Sequence, residues 1–134
     1  MLSAEHYLHV VEQAFLTTGG VVVRSEITLP PVHYDSIGVL RLRLEYLTGH
    51  VKDVTVTVDV SVGFPIWAIY SVQLMDPEMR CVVRYDNAPH HPEFDTFPHH
   101  QHVGPDERPA AHPRPVLAHL VREIQTTLRD SLDQ

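Results

Sequence analysis

The sequence predicts an α+β domain, an antiparallel β-meander of about five strands with an N-terminal and a C-terminal helix packed on one face. Two observations carry this prediction: apolar and polar residues alternate in neighbouring central segments, and helical spacing of apolar residues marks the two ends of the chain. The chain has 134 residues, with 43% hydrophobic and 20% charged residues, which is typical of one globular domain. We therefore treat residues 1–134 as a single domain.

The first element is a helix, and a strand follows it. Ser3 is a suitable N-cap for a helix that carries apolar residues as far as Phe15, and the glycine pair at 19–20 ends it. Residues 21–29 (VVVRSEITL) are rich in β-branched side chains, which predicts a strand that stops at the following proline pair.

The clearest signal is a β-hairpin in the middle of the chain. Residues 39–47 and 52–62 both alternate between apolar and polar side chains, and the turn Thr48–Gly49–His50 separates them. Residues 66–75 and 80–85 predict two more strands around a proline-containing turn. The polar positions of the hairpin predict that one face of the sheet is solvated.

A long irregular loop is predicted after the last of these strands. Residues 86–115 contain seven prolines, and proline disfavours both helix and central strand. A loop of this length in a compact domain is usually functional or disordered. From about residue 116 to 132 the apolar residues recur at helical spacing, which predicts the C-terminal helix.

Composition excludes several classes of protein. A net charge of −7 argues against binding nucleic acid through a broad basic face. The single cysteine, Cys81, rules out an internal disulfide and fits a reducing compartment. No apolar run is long enough for a membrane span, and no secretory signal is apparent, so we expect a cytoplasmic protein without a membrane partner.

Histidines are concentrated in the predicted loop. Six of the eleven lie between residues 90 and 112, and a proline precedes each of the two His-His pairs. Because proline restricts the backbone, it lowers the entropic cost of holding neighbouring side chains in place. The histidines elsewhere, including His33 in a loop and His50 in the hairpin turn, are expected to be ordinary solvated residues.

One interpretation of this segment is proton-transfer chemistry, because imidazole gives and takes protons near neutral pH. Asp86 would orient one ring, Arg84 would bind a phosphate, and Tyr85 would donate a hydrogen bond or stack on a base. These groups together suit cleavage of a phosphodiester by a ribose 2′-hydroxyl.

Two other interpretations remain open. His90 or His91, together with His100, His102 and Asp86, could ligate Zn²⁺, Mn²⁺ or Fe²⁺, although the spacing matches no familiar zinc motif. Alternatively, the histidines are solvated or satisfy backbone groups of the loop.

Two short motifs, RYDNAPHH and PHHQH, resemble the TumE family of toxins from bacterial toxin–antitoxin pairs. The motif positions are Arg84, Tyr85, Asp86, Asn87, His90 and His91 in the first, and Pro98, His99, His100 and His102 in the second. The resemblance covers roughly residues 37–132. It implies a small toxin of a type II pair, whose antitoxin partner carries a DNA-binding helix-turn-helix.

The resemblance leads us to expect a small metal-independent endoribonuclease that needs no cofactor. Among His99, His100 and His102, one ring would take the 2′-hydroxyl proton and another would protonate the leaving oxygen. The candidate catalytic residues are Arg84, Tyr85, Asp86, His90, His91, His99, His100 and His102. RNA is the expected substrate, and a homodimer is a further assembly to consider.

The alternative is a module that uses the histidine-rich loop to bind a metal ion or a protein partner. Its metal ligands would be His90, His100, His102 and Asp86, with Zn, Mn or Fe as the divalent ion.

Overall fold

The computed structural model describes residues 2–31 and 35–133, so the predicted loop histidine His33 lies outside the described residues. Two helices and seven strands form within these ranges. The helices are α1 (Ala4–Leu16) and α2 (Leu117–Leu132). The strands are β1 (Val21–Thr28), β2 (Ile37–Glu45), β3 (Val51–Asp59), β4 (Ile66–Met75), β5 (Cys81–Asp86), β6 (His100–Val103) and β7 (Arg108–Ala111).

All seven strands belong to one sheet, in the order in which they occur along the chain, and every neighbouring pair is antiparallel. The predicted meander and the two terminal helices are confirmed. The predicted count of about five strands is wrong, because β6 and β7 extend the sheet beyond β5.

The two additional strands also correct the prediction that residues 86–115 have no regular structure. Strand β6 pairs with β5, and β7 then pairs with β6 as a short edge strand. Pro109 lies within β7, and proline is tolerated in a strand at the edge of a sheet. The prolines that suggested a continuous loop therefore lie mostly in the connections around these strands.

The central hairpin has the predicted alternation. Leu42 and Leu44 of β2 and Val54 and Val56 of β3 are buried, whereas the polar residues between them are more exposed. The turn contains Gly49 at a φ of 90°, a conformation that side-chain-bearing residues rarely adopt. The prediction that His50 of this turn is solvated is wrong, because its side chain is buried and its ring nitrogens lie 2.8 Å from Thr48 Oγ1 and 3.0 Å from Ser131 Oγ.

Both helices cover the same face of this sheet. Helix α1 begins after Ser3, whose Oγ accepts a hydrogen bond from the His6 N–H at 3.1 Å. The two helices contact each other, and their apolar residues share one buried cluster with residues of β2–β5. In the described part of the chain, neither helix is long and apolar enough to cross a membrane.

Lys52, the chain's single lysine, is fully buried on the helix-covered face. Its Nζ donates hydrogen bonds to Thr18 Oγ1 at 3.2 Å and Gln125 Oε1 at 3.5 Å, and it lies 5.3 Å from the centroid of the Tyr46 ring. Burial lowers the pKa of Lys52 from 10.5 to about 8, because the charged form loses its hydration.

Replacing Lys52 with Met is expected to raise the free energy of unfolding at pH 7 by about 3 kcal/mol. Below pH 8 the folded and unfolded states of the wild-type chain both carry the lysine charge, so the full cost of burying that charge lowers its free energy of unfolding. This penalty disappears as the pH rises from 8 to 10.5, because the folded state loses the proton first. Urea unfolding across this range should therefore show the two proteins converging in stability at alkaline pH, and a constant difference would contradict the prediction.

Candidate functional site

Four of the predicted site residues meet on two neighbouring strands. In the register of β5 and β6, Arg84 lies opposite His102 and Asp86 lies opposite His100. Successive residues of a strand point to opposite faces, and Val83 and Tyr85 belong to the core beneath the helices. The four polar side chains therefore share the sheet face that the helices leave uncovered.

Asp86 is the centre of this cluster and is only 7% exposed. Its Oδ1 lies 3.0 Å from His100 Nε2 and accepts a hydrogen bond from the Ala88 N–H at 3.0 Å. Its Oδ2 lies 3.6 Å from His102 Nε2 and accepts a hydrogen bond from Arg84 Nε at 3.1 Å. A buried carboxylate with this many partners is held in one orientation.

The rings of His100 and His102 are fixed by backbone carbonyl groups. His100 Nδ1 donates to the Pro98 oxygen at 2.9 Å, and His102 Nδ1 donates to the Glu107 oxygen at 3.0 Å. Since a carbonyl oxygen only accepts, both Nδ1 atoms must carry hydrogen. The two Nε2 atoms then face each other at 3.1 Å beside the carboxylate of Asp86.

His91 is the third imidazole of the cluster. One ring nitrogen from each of His91, His100 and His102 can be chosen so that all three lie within 4.8 Å of one another. His91 has a φ of 61°, which is uncommon for a residue other than glycine, and its Nδ1 lies 3.1 Å from Glu93 Oε1. Its Nε2 is therefore the nitrogen left to face the other two rings.

Arg84 lies at the solvent-facing side of the cluster. It donates to Asp86 and, through Nη1, to the Glu107 carboxylate. Burial disfavours the charged guanidinium, but these two carboxylates outweigh burial and raise the pKa of Arg84. The side chain is about one-quarter exposed, so part of it remains accessible to a ligand.

Three predicted site residues lie apart from this cluster. Tyr85 faces the opposite side of the sheet and is buried, and burial together with the neighbouring Glu123 raises its pKa. His99 also points to that side, where its ring stacks on Tyr70 and its Nδ1 lies 3.0 Å from the Tyr70 hydroxyl. Burial lowers the pKa of His99 and so favours its neutral form. His90 is exposed, and its ring centroid lies 6.5 Å from that of His91.

Sequence reasoning assigned no role to several residues that support the cluster. Asn87 accepts a hydrogen bond from the Tyr70 N–H at 3.1 Å and donates one to the Ala68 oxygen at 2.9 Å. These bonds fix the chain to β4 immediately after Asp86. Glu93 and Glu107 hold His91 and Arg84, and only the three-dimensional arrangement reveals those pairings.

A polar cavity of about 380 Å³ lies on the uncovered face, and its lining reaches β4, the strand that pairs with β5. Among its lining residues, Ser71 and Gln73 of β4 lie opposite Asp86 and Arg84 of β5. Farther along the sheet, Arg43 pairs with Asp53 at 3.3 Å. The cavity therefore presents charges of both signs on the same face of the sheet, and none of the five cluster residues is among those that line it.

In a comparison with protein families, residues 10–130 match the family model described as Toxin TumE. No match to this chain was found among the curated proteins or the solved structures. The matched region contains all seven strands and every residue of the cluster described above. Because the family model spans most of the sequence, the chain belongs to the TumE toxin family.

Proposed function

We propose that this chain is the toxin of a type II toxin–antitoxin pair and that it cleaves RNA at the cluster formed by Arg84, Asp86, His91, His100 and His102. The observation that carries the proposal is the buried Asp86 carboxylate, which joins two histidines and an arginine on the uncovered face of the sheet. A toxin of this family implies an antitoxin partner. We propose that the antitoxin carries a helix-turn-helix and that the toxin acts on RNA in the cytoplasm.

The residues of the cluster form two layers. The side chains of His91 and Arg84 are 28% and 26% exposed, and that of His102 is 13% exposed. His100 and Asp86 lie behind them, with side chains that are 2% and 10% exposed. In our proposal the phosphodiester contacts the outer layer, and the inner layer positions the outer groups.

The proposed reaction uses the ribose 2′-hydroxyl as the nucleophile. Its oxygen forms a bond to phosphorus while the bond to the 5′-oxygen of the next nucleotide breaks, which leaves a 2′,3′-cyclic phosphate. An outer imidazole receives the 2′-hydroxyl proton, and the leaving oxygen takes a proton from water. Arg84 stabilises the negative charge that develops on the phosphoryl oxygens.

The geometry does not favour His100 and His102 as an acid and base on opposite sides of the phosphorus. Their Nε2 atoms are 3.1 Å apart, which leaves no room for a phosphate between them. The same limit applies to His91, because the selected nitrogen atoms of all three rings lie within 4.8 Å. We therefore propose that the histidines act together on the side of the attacking hydroxyl.

Expression of the wild-type chain without its antitoxin should arrest bacterial growth and cleave cellular RNA, and His102→Ala should reduce the cleavage rate about 100-fold. The matched control is His119→Ala, which removes an exposed histidine from α2, away from the cluster. Growth arrest, RNA integrity and soluble expression should be followed together for all three proteins.

Intact RNA at verified soluble expression of the wild-type chain would reject RNA cleavage as its function. Equal cleavage by wild type and His102→Ala would instead reject the proposed site. Purified protein should release 2′,3′-cyclic phosphate ends, and it should leave DNA intact because DNA lacks the attacking hydroxyl.

A further inference from the structure

We infer that His91, His100 and His102 bind one divalent transition-metal ion through their Nε2 atoms. The inference concerns the ion-binding site itself and departs from the cofactor-free enzyme expected from the sequence. A role for the ion in RNA cleavage rests additionally on the proposed function.

The hydrogen bonds at the Nδ1 atoms are the first support for this site. Pro98 and Glu107 supply carbonyl oxygens to His100 and His102, and Glu93 supplies a carboxylate oxygen to His91. In metal centres, a ligating histidine almost always donates its other ring N–H to such an oxygen, which fixes the ring and directs its lone pair at the metal. All three histidines have this arrangement.

The separations between the facing atoms are the second support. His100 Nε2 lies 3.1 Å from His102 Nε2 and 3.0 Å from Asp86 Oδ1. Ligands bound to one zinc ion at 2.0–2.1 Å in tetrahedral geometry are separated by roughly 3.3 Å. The Nε2 atoms of His100 and His102 are therefore already close to the spacing that a common central ion requires, and a ring nitrogen of His91 lies within 4.8 Å of both rings' facing nitrogens.

Electrostatics supplies the third support. With hydrogen on each Nδ1, the facing Nε2 atoms of His100 and His102 are two acceptors with no hydrogen between them, whereas Asp86 already accepts hydrogen bonds from Ala88 and Arg84. His100 and Asp86 are 2% and 7% exposed, so bulk water provides little screening. A cation among these atoms converts the repulsion into attraction.

A proton shared between His100 and His102 is the competing way to relieve this repulsion. That solution uses two rings and leaves the orientation of the third unexplained. His91 adopts an uncommon backbone conformation, its Nδ1 contacts Glu93, and one of its ring nitrogens lies within 4.8 Å of the facing nitrogens of the pair. The three-ring arrangement therefore favours a metal ion over a bridging proton.

The ligand types restrict the identity of the ion. Three imidazoles suit Zn²⁺ and other first-row ions, whereas Mg²⁺ and Ca²⁺ prefer oxygen ligands. An ion of this kind would polarise a phosphoryl oxygen or activate a nucleophile. Either effect would act on the side of the attacking 2′-hydroxyl, where the proposed function places the histidines.

The test is titration of chelator-treated, untagged full-length protein with Zn²⁺ and, separately, with Co²⁺. Wild type should bind one equivalent of Zn²⁺ with high affinity, and the cobalt protein should show the visible absorption of a four-coordinate site. His91→Ala and His102→Ala should each weaken binding at least about 100-fold. His90→Ala is the matched control, because it removes an exposed histidine next to His91 and should bind as wild type does.

Circular dichroism should verify that each variant is folded. Absence of stoichiometric binding by wild type would overturn the inference, as would equal weakening by His90→Ala and His91→Ala. A pair that only shares a proton would give the first of these results.

RNA cleavage by the metal-free and reloaded proteins separates the two proposals. Tight binding with intact RNA would retain the metal site and reject the proposed function. Full cleavage by metal-free protein, without binding of added Zn²⁺, would reject the metal site and retain the function. Loss of cleavage on chelation and its recovery with Zn²⁺ or Co²⁺ would support the metal site and RNA cleavage, and would assign activation of the 2′-hydroxyl to the bound ion instead of a free imidazole.

Discussion

Replacing Asp86 with Asn should lower the rate of RNA cleavage at least about 100-fold while the chain remains folded. Asparagine preserves the size of the side chain and an oxygen for the Ala88 N–H, but it removes the negative charge shared by Arg84, His100 and His102. We expect the loss in kcat rather than in KM, because Asp86 lies behind the groups that contact the substrate.

The matched control for this change is Asp53→Asn on the same face of the sheet. Asp53 also pairs with an arginine, Arg43, but its side chain is 41% exposed and it contacts none of the histidines. Urea unfolding should be measured for both variants alongside cleavage of a synthetic RNA. A wild-type rate for Asp86→Asn would show that the buried carboxylate has no part in the reaction.

Replacing Tyr85 with Ala is expected to lower the free energy of unfolding by roughly 3–5 kcal/mol, as for other large buried aromatic residues. The ring is 1% exposed and packs in the core, where its centroid lies 4.8 Å from that of the His112 ring. Thermal and urea unfolding measure this loss, which is a large part of the stability of a domain of this size.

Tyr85→Phe distinguishes packing from chemistry at this position. It keeps the ring and should cost about 1 kcal/mol through the lost hydroxyl interactions. Because Tyr85 faces away from the cluster, we expect this variant to cleave RNA at the wild-type rate. Loss of cleavage by a stable Tyr85→Phe protein would contradict a purely structural role for Tyr85. It would show that the Tyr85 hydroxyl takes part in the reaction.

The parts of the fold that could be predicted are those with a strong repeating pattern. In strands β2 and β3 buried residues alternate with more exposed ones over most of their length, so the two-residue repeat and the glycine turn could be recognised from the sequence. Helix α2 buries Leu120, Ile124 and Leu128 at a spacing of four residues, which is the ordinary signal of an amphipathic helix.

The short strands could not be predicted in the same way. Strands β6 and β7 have four residues each, which is too few for a clear alternation, and β7 contains a proline. Their stability comes from pairing with β5, and the local sequence contains no direct signal of that pairing. Tertiary context therefore overrode the local preference for irregular structure.

The same limitation explains what the sequence could and could not say about the site. The sequence identified the segment that carries the histidines. Because β6 was not predicted, the sequence could not show which of two adjacent residues points to which face of the sheet. His99 and His100 are adjacent in sequence and point to opposite sides of the sheet. The choice of His91 over His90 depends on one backbone angle and on the contact with Glu93, neither of which a residue pattern specifies.

The sequential order of the strands also has a consequence for the path of folding. Each strand pairs with its neighbour in the chain, so the sheet can grow by closing one short loop after another. Proteins dominated by such local pairings fold faster than those whose strands must find distant partners. The cluster is contained in residues 84–107, and its geometry therefore arises from two adjacent hairpins, without a long search for remote segments.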